Sequence, residues 1–115
     1  MRRDGMIDYV EFPTTNLPAV KQFYANAFGW SFQDYGPTYS AIEPAAGLDG
    51  GFDASTENPL TKPLVILYAS DLEAMEAKVK AAGGTITVPI FSFPGGRRFH
   101  FQDPSGNELA VWSET

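Results

Sequence analysis

The chain contains no cysteine, and this absence removes several kinds of chemistry at once. Disulfide bonds, thiolate nucleophiles and cysteine-based metal sites are all excluded. Histidine occurs only once, at His100, and one imidazole cannot build a metal site alone. The lack of disulfides is typical of proteins from a reducing compartment, so we expect a cytoplasmic location.

Basic residues and long apolar runs are also scarce. Eight Lys and Arg face fourteen Asp and Glu, giving a formal net charge of −6. Nucleic-acid binders need a basic face, so we expect no nucleic-acid partner. No apolar run approaches the roughly 20 residues that a membrane-spanning helix needs. The N-terminus leads into a strand without an apolar leader, so we expect neither membrane insertion nor export.

Aromatic residues are abundant at 14% of the 115 residues, with nine Phe, five Tyr and two Trp. A chain of this length is typical of one compact domain. Aromatic side chains build cores, and they also line pockets for flat or apolar ligands. The composition therefore favours a globular domain that binds a small molecule.

The sequence repeats one pattern in its two halves. In each half an apolar strand precedes a polar break, a helix start at Asn or Asp followed by Leu, and an amphipathic helix that ends at glycine. Matching landmarks lie 55 residues apart: Phe12 and Leu67, Asn16 and Asp71, Gly29 and Gly84. A repeat of this length indicates one supersecondary unit used twice.

Each half then continues with two or three short strands, which indicates an α+β domain with helices on one face of a mixed sheet. Asn16 is the expected N-cap of the first helix, and Gly29 is its expected end. In the second half, Ser70 and Glu73 match a capping box. We predict a single domain over residues 1–115, with modules at about 5–54 and 63–113 and a linker at about 55–62.

Three stretches, in this order, resemble the vicinal oxygen chelate superfamily, which includes glyoxalases, extradiol dioxygenases and bleomycin-resistance proteins. They are Asn16-Leu17 through Phe23-Tyr24 to Phe28-Gly29-Trp30, Asp71-Leu72 through Gly83-Gly84, and Asp103-Pro104-Ser105-Gly106-Asn107. The resemblance implies two βαβββ modules whose curved mixed sheet encloses a cavity, with one helix per module on the outer face. It also implies a homodimer, a common form of soluble oligomer.

The resemblance also locates the positions at which the family's metal enzymes place His and Glu ligands. One lies near the start of each module and one on each module's last strand. In this chain they fall on Tyr9, Gly50, Leu64 and Ala110. A divalent metal needs about three protein donors, and a phenol is a poor ligand unless deprotonated. We therefore expect no metal cofactor, with a divalent metal as the alternative.

Strand alternation predicts which side chains face the helices and which face the cavity. The helix-facing set is Val10, Phe12, Val65, Leu67, Leu109 and Val111, and the cavity-facing set is Tyr9, Glu11, Leu64, Ile66, Glu108, Ala110 and Trp112. Polar and aromatic residues of the second set, with two additions from other strands, are the predicted ligand-binding residues: Tyr9, Glu11, Tyr39, His100, Glu108 and Trp112.

Several of these residues have alternative interpretations. Glu11 is either a ligand anchor or general base with a raised pKa, or a carboxylate tied to backbone amides or to an arginine. His100 is either a surface or dimer-interface residue or a lone acid/base group. Arg97 and Arg98 either catch an anionic ligand or pair with the protein's own carboxylates.

The leading functional hypothesis is a small-molecule-binding protein without the usual metal ligands, holding an apolar or aromatic ligand in the inter-module cavity as bleomycin-resistance proteins do. No catalytic residue is assigned. The rival is a glyoxalase-like lyase, isomerase or dioxygenase in which Glu11, Glu108 and His100 bind a metal at an atypical site. A scaffold with a filled cavity is a third possibility.

Overall fold

A computed structural model describes residues 2–44, 47–56 and 61–115. The chain divides into two compact units. The first unit is Tyr9–Leu64, and the second combines the residues up to Asp8 with Val65–Thr115. Residues 57–60 of the predicted linker lie outside the described part of the chain.

The first unit contains strand, helix and three strands in chain order. These are β1 (Ile7–Pro13), α1 (Leu17–Phe28), β2 (Phe32–Asp34), β3 (Tyr39–Ile42) and β4 (Asp49–Asp53). The strands lie in the order β2-β3-β4-β1. β1 pairs with β4 in parallel over Tyr9–Pro13, and the other pairs are antiparallel.

The signals that bound α1 are local. The Asn16 side-chain oxygen accepts a hydrogen bond from the Ala19 N–H at 3.1 Å, and Gly29 ends the helix in the left-handed conformation at φ 75°. The expected N-cap and stop are therefore confirmed. β2 begins at Phe32, and the Trp30 ring before it stacks on Tyr24 of α1 at 4.6 Å.

One face of the first sheet packs against α1. Leu17, Ile42 and Phe52 form its buried centre. Phe12 stacks on Phe52 at 5.1 Å, as the alternation predicted, and Tyr24 of α1 covers the same ring. Each fully buried side chain of this kind contributes about 1.5–3 kcal/mol. Because this core holds one face of β1, β3 and β4 against the helix, the opposite face is left for polar side chains.

The second unit repeats the order with longer strands. Its elements are β5 (Leu64–Tyr68), α2 (Leu72–Ala81), β6 (Thr85–Phe93), β7 (Gly96–Gln102) and β8 (Glu108–Ser113). The strand order is β5-β8-β7-β6, with β5 and β8 parallel. A tight turn joins β6 and β7, because the two strands pair as far as Phe93 opposite Gly96.

α2 starts at Leu72, but the capping box predicted for it is wrong. Asp71 is the N-cap, and its side chain accepts from the Ala74 N–H at 3.1 Å. Ser70 instead donates to Asp4 at 3.1 Å. The Glu73 carboxylate binds Arg97 through two hydrogen bonds of 2.6 and 3.1 Å, so it does not reach back to the cap.

The core of the second unit lies between α2 and its sheet. Leu72 and Phe99 are almost fully buried at its centre, and Leu67 and Val111 pack there as predicted. The architecture is therefore the expected α+β fold of two βαβββ modules, each with one helix. None of the helices in the described residues is both long and apolar enough to cross a bilayer.

Candidate functional site

Strand alternation places three of the predicted residues on the face of the first sheet that points away from α1. Phe12 and Phe52 face the helix, so Glu11 and Gly51, which are partners in the parallel register, face the other way. Ala41 pairs with Gly51 from β3 and shares this face. Tyr9 and Tyr39 lie two residues before Glu11 and Ala41, which brings both phenols to the same place.

The two phenols form a hydrogen-bonded pair that ends on a buried carboxylate. The Tyr9 and Tyr39 hydroxyls are bonded to each other, and Tyr39 also bonds Glu11, which is only 6% exposed. A carboxylate only accepts, and a phenol carries one proton. Tyr39 therefore donates to Glu11, and Tyr9 donates to Tyr39.

Both phenols are held in the protonated form. Burial, followed by the nearby charge of Glu11, raises the pKa of Tyr39 far above its ordinary value. Burial also raises the pKa of Tyr9. At neutral pH the cluster is therefore two neutral hydroxyls and one carboxylate, and phenolate chemistry is disfavoured.

Gly51 makes room for this cluster. A Cβ placed on Gly51 would meet the Tyr39 hydroxyl and would lie 2.7 Å from the Tyr9 hydroxyl oxygen. A Cβ on Gly50 would instead meet the Val10 carbonyl oxygen at 2.7 Å and the Ile42 side chain at 3.3 Å. A side chain at Gly51 would therefore meet the phenols and one at Gly50 would not, since successive strand residues point to opposite faces.

A cavity of about 340 Å³ opens beside the phenol pair. Its lining residues within the described part of the chain all belong to the first unit: Tyr9, Tyr35, Tyr39, Ala41, Ile42, Glu43, Asp49 and Gly50. This volume lies within the usual range of small-molecule sites. The structure thus associates two predicted residues, Tyr9 and Tyr39, with a ligand-sized space, and Glu11 bonds Tyr39.

The sequence interpretation missed three polar residues of this cavity: Tyr35, Glu43 and Asp49. The Tyr35 hydroxyl donates to Glu43 at 2.8 Å, and this bond raises the pKa of Tyr35. Asp49 is the register partner of Tyr9. Only the pairing of Tyr9 with β4 could have revealed Asp49, because the two residues are distant in sequence.

Two other predicted residues, His100 and Glu108, meet in the second unit. The His100 Nδ1 donates to Glu108 at 3.2 Å, and Thr87 donates to the same carboxylate oxygen at 3.1 Å. His100 is only 6% exposed, so its interpretation as a surface residue is wrong. Phe91, whose ring lies 5.8 Å from the imidazole, contributes to this burial.

The His100 ring is held neutral by its surroundings. Burial, assisted by the charge of Arg98, lowers its pKa below 6.5 against the opposing effect of Glu108. With Nδ1–H directed at Glu108, the Nε2 atom is left as an acceptor, and it has no hydrogen-bond partner among the described residues. His100 therefore behaves as a buried polar core residue in this unit.

Trp112, the sixth predicted residue, is engaged within the second unit. Its Nε1–H donates to Asp8 at 2.9 Å. The Arg2 guanidinium lies 5.1 Å from the ring centroid and also bonds Asp8 at 3.2 Å. Arg2 thus covers one face of the Trp112 ring, and the ligand hypothesis requires an open face for stacking.

Arg97 and Arg98 are both engaged by the second unit itself. Arg97 forms the bidentate pair with Glu73, which supports the interpretation that it neutralises one of the protein's own carboxylates. The Arg98 guanidinium lies over Phe91 and Phe93 at 5.5 and 5.6 Å. Neither contact favours capture of an anionic ligand.

The residues at the family's metal-ligand positions do not form a plausible donor set. Leu64 and Ala110 are 3% and 0% exposed and carry no donor atom. Gly50 also lacks a side chain, and the raised pKa of Tyr9 opposes phenolate coordination. Within residues 2–44, 47–56 and 61–115, no group of three His, Asp or Glu is placed to hold a metal ion.

With two βαβββ units that carry one helix each, this chain belongs to the class of paired-module α+β proteins. Residues 6–111 match the sequence model of the Glyoxalase/Bleomycin resistance protein/Dioxygenase superfamily. This match covers most of the chain, and the protein belongs to that superfamily.

Known relatives agree with this assignment. "Putative glyoxylase CFP32" of Mycobacterium tuberculosis is 27% identical over 96% of this chain and 46% of its own length. The chain thus spans about half the length of the curated relatives it matches. The Mn(II)-bound glyoxalase from Novosphingobium aromaticivorans is 25% identical, with a TM-score of 0.68 over 99% of this chain and 40% of that one. A superfamily member from Vibrio splendidus, 18% identical, shares the fold with a TM-score of 0.71 over 91% and 96% of the two chains.

Proposed function

We propose that this chain is a metal-independent, small-molecule-binding member of the superfamily, comparable to its bleomycin-resistance branch. It holds a ligand with an aromatic or apolar portion in the cavity beside Tyr9 and Tyr39. The observation that carries the proposal is this cavity of about 340 Å³, which three tyrosines line. A hydrogen-bonded network ties two of them to the buried Glu11, so the wall is preorganised.

The donor set supports a binding role over a metal-dependent reaction. The position of Tyr9 offers a protonated phenol, and Leu64 and Ala110 offer hydrocarbon. The imidazole of His100 and the carboxylate of Glu108 are bonded to each other. As ligand contacts, His100, Glu108 and Trp112 stay predictions, and so does the homodimer.

The proposal is tested by thermal shift of the whole chain against a panel of aromatic antibiotics and small aromatic metabolites. Ligand binding raises the melting temperature in proportion to RT ln(1 + [L]/Kd). We expect at least one compound to stabilise the protein, and Tyr39→Leu to abolish the shift. Phe23→Leu is the matched control, because Phe23 is an aromatic residue of α1 that is 58% exposed and does not line this cavity.

Two results would overturn the proposal. One is a complete lack of stabilising compounds, which would favour a scaffold. The other is stoichiometric Mn²⁺ or Zn²⁺ binding, by elemental analysis after dialysis, that is lost in Glu11→Gln, which would favour the atypical metalloenzyme.

A further inference from the structure

The Tyr9 and Tyr39 hydroxyls are engaged in hydrogen bonds within the protein. Tyr39 donates to Glu11, and Tyr9 donates to Tyr39. The raised pKa values keep both phenols protonated, so this direction is the neutral-pH state. The Tyr9 oxygen therefore presents only lone pairs to a ligand.

The outer end of the cavity follows the same pattern. The single Tyr35 proton is donated to Glu43 at 2.8 Å, which leaves the Tyr35 oxygen as an acceptor. The carboxylates of Glu43 and Asp49 also line the cavity, and a carboxylate only accepts. Both polar ends of the space thus present acceptors, and Glu43 and Asp49 add negative charge.

Among the lining side chains that the structure describes, none compensates this charge. The described residues of the wall include no Lys, Arg or His, and their remaining members are Ala41, Ile42 and Gly50. An anionic ligand would meet carboxylates with no partner of opposite sign, which costs free energy. A ligand without donors would leave the acceptor oxygens unpaired.

We propose that the ligand of this cavity carries a protonated nitrogen, as an arylalkyl ammonium or guanidinium, beside its aromatic portion. The N–H groups bind the Tyr9 and Tyr35 oxygens and the carboxylates of Glu43 and Asp49. The ring faces of the tyrosines add cation–π attraction, which is strongest where water is excluded. This inference rests on the proposed function and specifies its ligand chemistry.

The test uses three soluble probes of one shape and different charge: benzylammonium, benzyl alcohol and phenylacetate. Dissociation constants come from NMR titration of the whole chain, followed at the amides of Ala41 and Gly50 in the cavity wall. We expect benzylammonium to bind about tenfold more tightly than benzyl alcohol, and phenylacetate to bind most weakly. High salt should weaken only the benzylammonium complex.

Asp49→Asn should weaken benzylammonium about two- to fivefold, the effect of one exposed charge, and leave benzyl alcohol unchanged. Glu76→Gln on α2 is the matched control, because it changes the net charge equally but lies outside the cavity. It should leave all three constants unchanged.

The possible failures separate the two proposals. If benzylammonium and benzyl alcohol bind at the cavity with constants within about threefold, or phenylacetate binds most tightly, the cation inference is wrong and the binding function stands. If no probe shifts the wall amides and the aromatic panel also fails, the proposed function falls, and the cation inference falls with it.

Discussion

Replacing Gly51 by alanine tests the geometry on which the site depends. The new methyl group would lie 2.7 Å from the Tyr9 hydroxyl oxygen and would meet the Tyr39 hydroxyl, so at least one phenol must leave its place. Gly51 is not among the positive-φ glycines, so alanine fits its backbone without strain. The clash falls on side-chain ends, which can move.

The expected size of the effect follows from two opposing terms. Displacing Tyr39 deprives the buried Glu11 carboxylate of a donor, which costs about 1–3 kcal/mol. Gly→Ala at a compatible backbone stabilises by about 0.4–1 kcal/mol through the unfolded state. We therefore expect a net loss of about 1–2 kcal/mol in urea unfolding and loss of aromatic-probe binding.

Two further variants test whether the clash with the phenols causes this loss of stability. In a Tyr39→Leu background, Gly51→Ala should cost less than in the wild-type background, because only the Tyr9 hydroxyl still obstructs the methyl group. Gly50→Ala is the neighbouring control: its methyl group meets the Val10 carbonyl oxygen at 2.7 Å, so it should destabilise without moving the phenols. An equal cost of Gly51→Ala in both backgrounds would refute the reasoning.

Three other perturbations have defined outcomes. Tyr39→Phe removes the donor to Glu11 and should lower the free energy of unfolding by about 1–3 kcal/mol, measured by urea denaturation; an unchanged midpoint would show that Glu11 does not depend on this bond. Because the pKa of His100 is lowered in the folded protein, the unfolded chain takes up the proton at a higher pH than the folded protein does. The contribution of His100 to the free energy of unfolding should therefore fall as the pH drops through 6.5. His100→Gln should remove this part of the pH dependence of the free energy of unfolding. Parallel curves of unfolding free energy against pH for the two proteins would contradict the buried neutral ring. Leu72→Ala should cost about 2–5 kcal/mol, and Leu48→Ala, at an exposed site, under about 0.5 kcal/mol; similar losses would contradict the assigned core.

Local chemistry explains why much of the fold was predictable. Asn16 and Asp71 cap the two helices, and Gly29 ends the first, because these residues satisfy backbone groups within a few positions of themselves. Strand alternation correctly predicted that Phe12, Leu67 and Val111 pack against the helices, because it depends only on the position of a residue along its own strand.

The errors have a common origin in contacts between distant segments. Ser70 and Glu73 matched a capping box, but the Ser70 hydroxyl donates to Asp4 and the Glu73 carboxylate accepts from Arg97.

The candidate site was predictable in part. Strand alternation indicated Tyr9 and Glu11. Residue type indicated Tyr39, because aromatic side chains line pockets for flat or apolar ligands. Parity could not show that Gly51 rather than Gly50 lies beneath the phenols, since an offset of one residue exchanges the two faces of a strand.

The sequence by itself determined the paired strand–helix–strand units and their helix ends, because each depends on residue type and on neighbours along the chain. Only the tertiary structure decided that the phenol protons point toward Glu11, that Tyr35, Glu43 and Asp49 line the same cavity as Tyr9, and that His100 is buried. Burial and hydrogen-bond direction are set by groups that folding brings together from distant parts of the chain.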